Sequence, residues 1–186
     1  ADGSTSDTTF TVTITDVNDQ TPTYTSADTT PSVAEGTTAV ETVEITDSDT
    51  GDSNTCSLSG QDSSLFTCSV NATQYTLTFT SAQDYESPLD SGADNTYVVY
   101  VTISDGTNTG STIQYAIFMT DVDETDVGAT TDADASANTL SESAADDAEA
   151  GITASATDDD ASDDVTYSMT IGTAACAGWF DIGAGR

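Results

Sequence analysis

Two short segments of the sequence concentrate oxygen-bearing side chains. Residues 16–19, DVND, carry three such side chains and lead to Pro22. Residues 121–124, DVDE, carry three again, 105 residues further along the chain. Calcium is held by six to eight oxygen ligands, so each segment supplies part of a calcium site. Asp, Asn and Pro are also common turn residues, and a surface turn is the alternative interpretation of a single segment.

An alternating strand pattern precedes both segments. The apolar positions are Phe10, Val12 and Ile14 before the first segment and Ile113, Tyr115, Ile117 and Met119 before the second. This period of two is typical of half-buried β-strands. A spacing of 105 residues suits one small β domain, so the chain is predicted to be a tandem array.

Charge excludes several classes of partner. The 186 residues contain 33 Asp and Glu but one Lys or Arg, giving a net charge of −32. Nucleic acids and anionic membranes both attract a basic surface, so neither is expected as a partner. Membrane insertion is not expected either, because no apolar run approaches the roughly 18 residues of a membrane span. Divalent cations are the natural counterparts of such a chain.

The motifs of catalysis and of other metal sites are missing from the sequence. With no His, the chain lacks the usual general base, and it has no nucleophile elbow or phosphate-binding glycine loop. Zinc is disfavoured for the same lack of His and for scattered Cys. Two segments begin like EF-hand loops, but Leu58 and Ser143 stand where the bidentate Glu is needed. The chain is therefore predicted not to be an enzyme.

Short runs rich in Val, Ile, Thr, Tyr and Phe are separated by Gly, Asn, Asp and Pro. This pattern predicts about seven short strands in a Greek-key sandwich. The predicted strands of the complete domain are residues 39–46, 55–59, 65–70, 75–80, 96–104 and 112–120. Further strands are predicted at residues 152–157, 166–171 and 178–182.

The cysteines indicate the compartment. Cys56 and Cys68 lie in register with neighbouring apolar residues, which predicts a disulfide between adjacent strands of one sandwich; two buried thiols are the alternative. Cys176 is the odd one, either free or paired with a cysteine elsewhere. Disulfides persist in oxidising compartments, so an extracellular or cell-surface location is expected.

The segment DVNDQTP, residues 16–22, resembles the linker DxNDxxP of the cadherin repeat family, and Tyr24 supplies the aromatic residue that usually follows. Residues 84–86, DYE, fit the family's DxE element. The resemblance extends to bacterial and microbial cadherin-like tandem domains of surface proteins. It implies all-β, Ig-like Greek-key sandwich repeats joined by calcium-binding linkers. Residues 1–20 would be the last strand and linker of a preceding repeat, 21–124 a complete repeat, and 125–186 the first part of a following, truncated repeat.

The resemblance also implies two sets of calcium ligands. The first is Asp16, Asn18, Asp19, Asp47, Asp49 and Asp105. The second is Glu35, Asp84, Glu86, Asp121, Asp123, Glu124, Asp158 and Asp160. The second linker departs from the family pattern, because Asp123 replaces Asn, Glu124 replaces Asp, and the Pro is absent. Isolated acids, such as Asp7, Asp62 and Glu149, are interpreted as solvated surface charges.

Two functions remain open at this point. One is a calcium-rigidified adhesive or spacer array of a microbial surface protein. The other is a structural subunit of an extracellular filament, assembled head-to-tail by strand complementation between chains. The expected partners are calcium ions and other copies or further repeats of the same protein. Glycans also remain open, since Asn71-Ala72-Thr73 matches the N-glycosylation acceptor sequence.

Overall fold

The computed structural model describes residues 2–51, 53–146, 148–160 and 164–170. The chain divides into two compact units, Ala1–Thr120 and Asp121–Arg186. The strands of the first unit are β1 Thr23–Tyr24, β2 Ser32–Ala34, β3 Ala39–Thr46, β4 Thr55–Ser59, β5 Phe66–Val70, β6 Gln74–Phe79, β7 Thr96–Ser104 and β8 Ile113–Thr120. A short 3-10 helix, Ser63–Leu65, lies between β4 and β5.

The first unit is a β-sandwich of two four-stranded sheets. One sheet has the strand order β1-β3-β6-β5 and the other β2-β8-β7-β4. All neighbours are antiparallel except β2 and β8, which are parallel. The prediction of an all-β sandwich is confirmed. Three strands, β3, β4 and β7, have the bounds that the alternation of apolar and polar residues predicts.

The core lies between the two sheets and follows the predicted period of two. In β7 every second residue from Tyr97 to Ile103 is buried, and in β8 the same holds from Tyr115 to Met119. The hydroxyl groups of Tyr75 and Tyr115 are 2.6 Å apart inside this core. Each hydroxyl therefore has a hydrogen-bond partner where water is excluded. Burial, joined by this contact, raises the pKa of Tyr75 far above its usual range.

A disulfide between Cys56 and Cys68 joins edge strands of opposite sheets, because β4 and β5 belong to different sheets. The predicted pairing is confirmed. The bridge spans 12 residues, and closing a loop of that length stabilises a fold by about 3 kcal/mol. Cys176 lies outside the described residues.

The start of the sandwich is fixed by Pro22 and Tyr24. Pro22 is fully buried. The Tyr24 hydroxyl donates to the carbonyl of Ser111 and accepts the backbone N–H of Ile103, at 3.1 Å. The aromatic residue after the linker segment therefore connects β1 with the opposite sheet.

The strand predicted at residues 10–15, which carry Phe10, Val12 and Ile14, is wrong. The structure assigns no strand there, and Phe10 and Ile14 are 84% and 91% exposed. A strand forms when a neighbouring backbone completes its hydrogen-bond ladder. None of the named strands within the described residues pairs with this segment.

In the described residues of the second unit there is one pair of short antiparallel strands, β9 Thr131–Asp132 and β10 Ala154–Ser155. β10 falls within the strand predicted at residues 152–157, whereas the prediction missed β9. The strand predicted at residues 166–171 is wrong for its described part, residues 166–170, where no strand is assigned and Tyr167 and Met169 remain exposed. The strand predicted at residues 178–182 lies outside the described residues. Over the described parts of both units, no helix is long and apolar enough to cross a membrane.

Candidate metal centre

Glu35 is the most deeply placed carboxylate of a small acidic cluster. It directly follows β2, and its backbone N–H donates to the carbonyl of Thr120 at 3.0 Å. The next residue, Gly36, has a φ of 70° and donates its N–H to the carbonyl of Gln83. Glycine adopts this left-handed conformation without strain, so the chain can turn sharply here. The Glu35 side chain is consequently held inside the fold, with 4% of its surface exposed.

Asp84 and Glu86 complete this cluster, which we call the Glu35 cluster. One carboxylate oxygen from each of the three residues lies within 4.8 Å of the others. Glu35 Oε2 accepts the backbone N–H of Tyr85 at 2.6 Å, which ties it to the loop that carries the other two acids. Asp84 Oδ1 accepts the N–H groups of Glu86 and Ser87, both at 3.0 Å, and so shapes that loop.

The Glu35 cluster has no basic side chain to neutralise it among the described residues, because the one Lys or Arg of the sequence, Arg186, lies outside them and the chain has no His. Like charges this close repel one another. Three convergent carboxylates can instead bind a hard cation through oxygen. The arrangement is therefore suited to metal binding.

The first predicted ligand set gathers around residues 16–20. Asp49 Oδ2 accepts the N–H groups of Asp19 and Gln20, at 2.8 and 2.7 Å. Asp16 Oδ2 accepts both the N–H and the hydroxyl of Thr50, at 2.6 and 2.9 Å. The N–H and hydroxyl of Thr50 lower the pKa of Asp16. These bonds join the first linker segment to the turn after β3.

Asn108, for which the sequence predicts no role, connects two more predicted ligands. Its Nδ2 donates to Asn18 Oδ1 and to the carbonyl of Gln20, both at 2.7 Å, and lies 3.4 Å from Asp105 Oδ2. Burial alone would raise the pKa of Asp105, but N–H groups of Asn108 and Thr107 donate to it and the net effect is a lowered pKa. Asn108 resembles any turn residue in the sequence, so no signal there marked this role.

In the second unit Asp160 has the same role as Asp49. Its Oδ2 accepts the N–H groups of Glu124 and Thr125, at 3.1 and 2.7 Å, and the hydroxyl of Thr125 at 3.1 Å. The Thr125 N–H is the largest cause of the lowered pKa of Asp160, and the Asp123 side chain contributes as well. Asp121 lies beside Asp160, with a carboxylate oxygen of each within 4.8 Å.

Both units contain a buried carboxylate oxygen with no hydrogen bond. In each Asp-x-Asp turn, the Oδ1 of the first Asp accepts the N–H of the second, at 3.1 Å for Asp47 and 3.2 Å for Asp158. In each of these turns the Oδ2 of the first Asp is buried and makes no hydrogen bond. Both oxygens of Asp121 are likewise buried and make no hydrogen bond. Buried polar atoms normally have a partner, so such oxygens point to an ion or water.

The structure brings together only part of the first predicted ligand set. Within the first set, the described carboxylates include no three that meet at the distance found in the Glu35 cluster. Four of these carboxylates instead turn one oxygen to backbone N–H groups, namely Asp16, Asp47, Asp49 and Asp105.

Asp62 is wrongly interpreted as a solvated surface charge. It is 4% exposed, and its two oxygens accept the N–H groups of Ser91 and Val98, each at 2.7 Å. Asp62 therefore organises a loop by accepting backbone N–H groups from two segments of the chain. Asp7 and Glu149 are exposed, as predicted.

No protein-family model and no curated protein matches the sequence. Structural comparison finds the human desmocollin-1 ectodomain, with 16% identity, 59% of this chain and 23% of that chain covered, and a TM-score of 0.47. A protocadherin gammaB7 EC3-6 cis-dimer has 21% identity, coverage of 78% and 34%, and a TM-score of 0.47. A chimeric titin Z1Z2 protein has 18% identity, coverage of 57% and 98%, and a TM-score of 0.38. The chain spans 23% and 34% of the length of the first two. Likeness at this level indicates nothing about what the chain binds.

Proposed function

We propose that this chain is a non-enzymatic, extracellular β-sandwich protein that binds calcium through its carboxylates and serves as an adhesive or spacer segment of a surface protein. The observation that carries the proposal is the Glu35 cluster. Its three carboxylates lie within 4.8 Å of one another, in a chain with one Lys or Arg. A divalent cation would remove their mutual repulsion.

The residues fit calcium better than other metals. Every candidate ligand atom is an oxygen, whereas zinc and copper sites use His or Cys, and the chain has no His and holds Cys56 and Cys68 in a disulfide. Calcium accepts irregular sets of oxygen ligands, and magnesium demands a nearly regular octahedron. The unpartnered oxygens of Asp47, Asp158 and Asp121 support further cation binding in each unit.

The disulfide supports the extracellular setting, because such bonds persist outside the reducing cytosol. Calcium that binds the folded state and not the unfolded one would stabilise the sandwich by mass action. That calcium bridges successive repeats and stiffens their linkers remains a prediction from the sequence.

Calcium titration by isothermal calorimetry tests the proposal. Glu35→Gln removes a charge and keeps the shape, so we expect it to weaken the calcium site at this cluster at least tenfold. Glu149→Gln, at an exposed position, is the matched control and should bind as the unsubstituted chain does. If the unsubstituted chain binds no calcium, or if Glu35→Gln binds it equally well, the proposal is wrong.

A second candidate function, head-to-tail assembly by strand complementation, is favoured by one observation. Phe10, Val12 and Ile14 are exposed, yet they have the same spacing before residues 16–19 as the core residues of β8 have before residues 121–124. Strand addition to another copy would bury them.

Sedimentation velocity over a range of concentrations tests this candidate function. We expect the unsubstituted chain to assemble and Val12→Asp to abolish assembly. Thr11→Asp, on the opposite side of the alternating pattern, is the control and should still assemble. A chain that stays monomeric at all concentrations would contradict it.

A further inference from the structure

The turn between β5 and β6 presents an asparagine to solvent. β5 ends at Val70 and β6 begins at Gln74, so the connection is residues 71–73. All three residues of this connection are exposed. It contains the sequence Asn-Ala-Thr, the acceptor pattern for attachment of a glycan to asparagine.

The hydrogen bonds of Asn71 determine which end of its side chain faces outward. The side-chain oxygen Oδ1 accepts the backbone N–H groups of Thr73 and Gln74, both at 2.9 Å. A backbone N–H can only donate, so the atom facing these two groups must be the oxygen. The amide nitrogen Nδ2 is therefore turned away from the turn. The hydroxyl of Thr73 lies 3.4 Å from the same oxygen, so the third residue of the pattern contacts the first.

Asn54 provides a contrast within the chain. Among the asparagines of the sequence, Asn71 alone is followed two residues later by Ser or Thr, while Asn54 is followed by Cys56. Asn54 is half-buried, its Nδ2 donates to the carbonyl of Ala72 at 3.4 Å, and Cys56 is held in the disulfide. The amide nitrogen of Asn54 is thus hydrogen-bonded, whereas that of Asn71 is directed outward.

We propose that Asn71 is an N-glycosylation site. The bond formed joins Asn71 Nδ2 to the anomeric carbon of a sugar. The bond broken joins that carbon to a phosphate oxygen of a glycosyl phosphate donor. The phosphate leaves with the electron pair of that bond, and Nδ2 loses one proton to a base of the transferase. The inference rests on the extracellular setting of the proposed function and is independent of its calcium site.

The glycan would lie far from the Glu35 cluster. Asn71 precedes β6, whereas Asp84 follows the end of β6 at Phe79. The two sites are therefore at opposite ends of this strand. Glycosylation is expected to leave calcium binding at the Glu35 cluster unchanged.

Mass spectrometry of the full chain, secreted from a eukaryotic host that glycosylates Asn-x-Ser/Thr, tests the inference. After reduction and unfolding, chymotrypsin cleavage after Phe66 and Tyr75 releases residues 67–75, in which Asn71 is the only asparagine. We expect this peptide to be heavier by a set of sugar residues attached at Asn71, and Asn54 to be unmodified. An unmodified Asn71 would overturn the inference.

Three variants separate glycosylation from a purely structural turn. Asn71→Asp keeps an oxygen that can accept the two N–H groups but has no amide nitrogen, so the added mass should disappear while the fold persists. Thr73→Ser keeps the hydroxyl and should keep the glycan, and Thr73→Val should lose it. Added mass that persists in Asn71→Asp would place the sugar on a hydroxyl and overturn the inference. Calorimetric calcium binding by Asn71→Asp, measured beside it, reports on the proposed calcium function separately.

Discussion

The acidic segments at residues 16–19 and 121–124 differ in how far hydrogen bonds satisfy their first carboxylate. The Asp-x-Asp turns of the two units are alike, because the second Asp of each, Asp49 or Asp160, accepts two successive backbone N–H groups. The difference is in the first Asp of each linker segment. Asp16 is exposed and accepts two hydrogen bonds from Thr50, whereas both oxygens of Asp121 are buried without one.

This difference indicates where a bound cation would stabilise the fold most. A carboxylate that accepts N–H and O–H groups is already stabilised as an anion. A carboxylate buried without donors lacks this stabilisation, and the chain has almost no basic side chains to supply a compensating positive charge. We therefore predict that the second unit depends on calcium more strongly than the turn after β3 does.

Removal of calcium should produce the largest effect. At a free calcium concentration 100-fold above its dissociation constant, binding stabilises the folded state by about 2.7 kcal/mol, and chelation should remove that contribution. Hydrogen exchange of the N–H groups that donate to Asp160, from Glu124 and Thr125, should accelerate on chelation. The N–H groups of Asp19 and Gln20 are the internal control and should change less. Equal acceleration at both places would contradict the comparison.

Matched substitutions of Asp16 and Asp121 should have opposite effects without calcium. Asp121→Asn removes a buried charge that has no donors, so the calcium-free chain should be as stable as before or more stable. Asp16→Asn weakens two hydrogen bonds to a charged acceptor and should lower stability. With calcium present, Asp121→Asn should reduce affinity about 10- to 100-fold. Thermal unfolding with and without chelator measures both effects, and a loss of stability in calcium-free Asp121→Asn would refute the distinction.

The smallest predicted effect is the pH dependence of Asp16. The N–H and hydroxyl of Thr50 hold its pKa below the ordinary 3.8. Stabilisation from a lowered carboxylate pKa is fully present above that ordinary value and is lost as the pH falls through the lowered one. The difference in unfolding free energy between the unsubstituted chain and Asp16→Asn should therefore be constant near neutral pH and shrink under acid below 3.8. The effect should be small because Asp16 is exposed to solvent and salt. A difference that grows as the pH falls would contradict this assignment.

Features that depend on local pattern were predictable from the sequence. The bounds of β3, β4 and β7 follow from alternating apolar and polar residues, and the disulfide follows from Cys56 and Cys68 lying in register with core positions. The convergence of Glu35 with residues 84–86 was implied by the cadherin resemblance. Here the structure supplies the geometry, through the bond from Tyr85 N–H to Glu35.

Features that depend on distant backbone groups were not predictable. Asp62 is an isolated acid in the sequence, but its donors, Ser91 and Val98, lie 29 and 36 residues away. Residues 10–15 have a strand pattern, but a pattern cannot supply the neighbouring strand that the hydrogen-bond ladder requires. Asn108 acts through Asn18, 90 residues earlier, and nothing in the local sequence distinguishes it from a turn residue.

The most direct test of calcium binding at the Glu35 cluster is an anomalous difference map from crystals of the full chain grown in calcium. We predict a peak with oxygens of Glu35, Asp84 and Glu86 about 2.3 to 2.6 Å away. No peak at this cluster in the presence of saturating calcium would contradict the proposal.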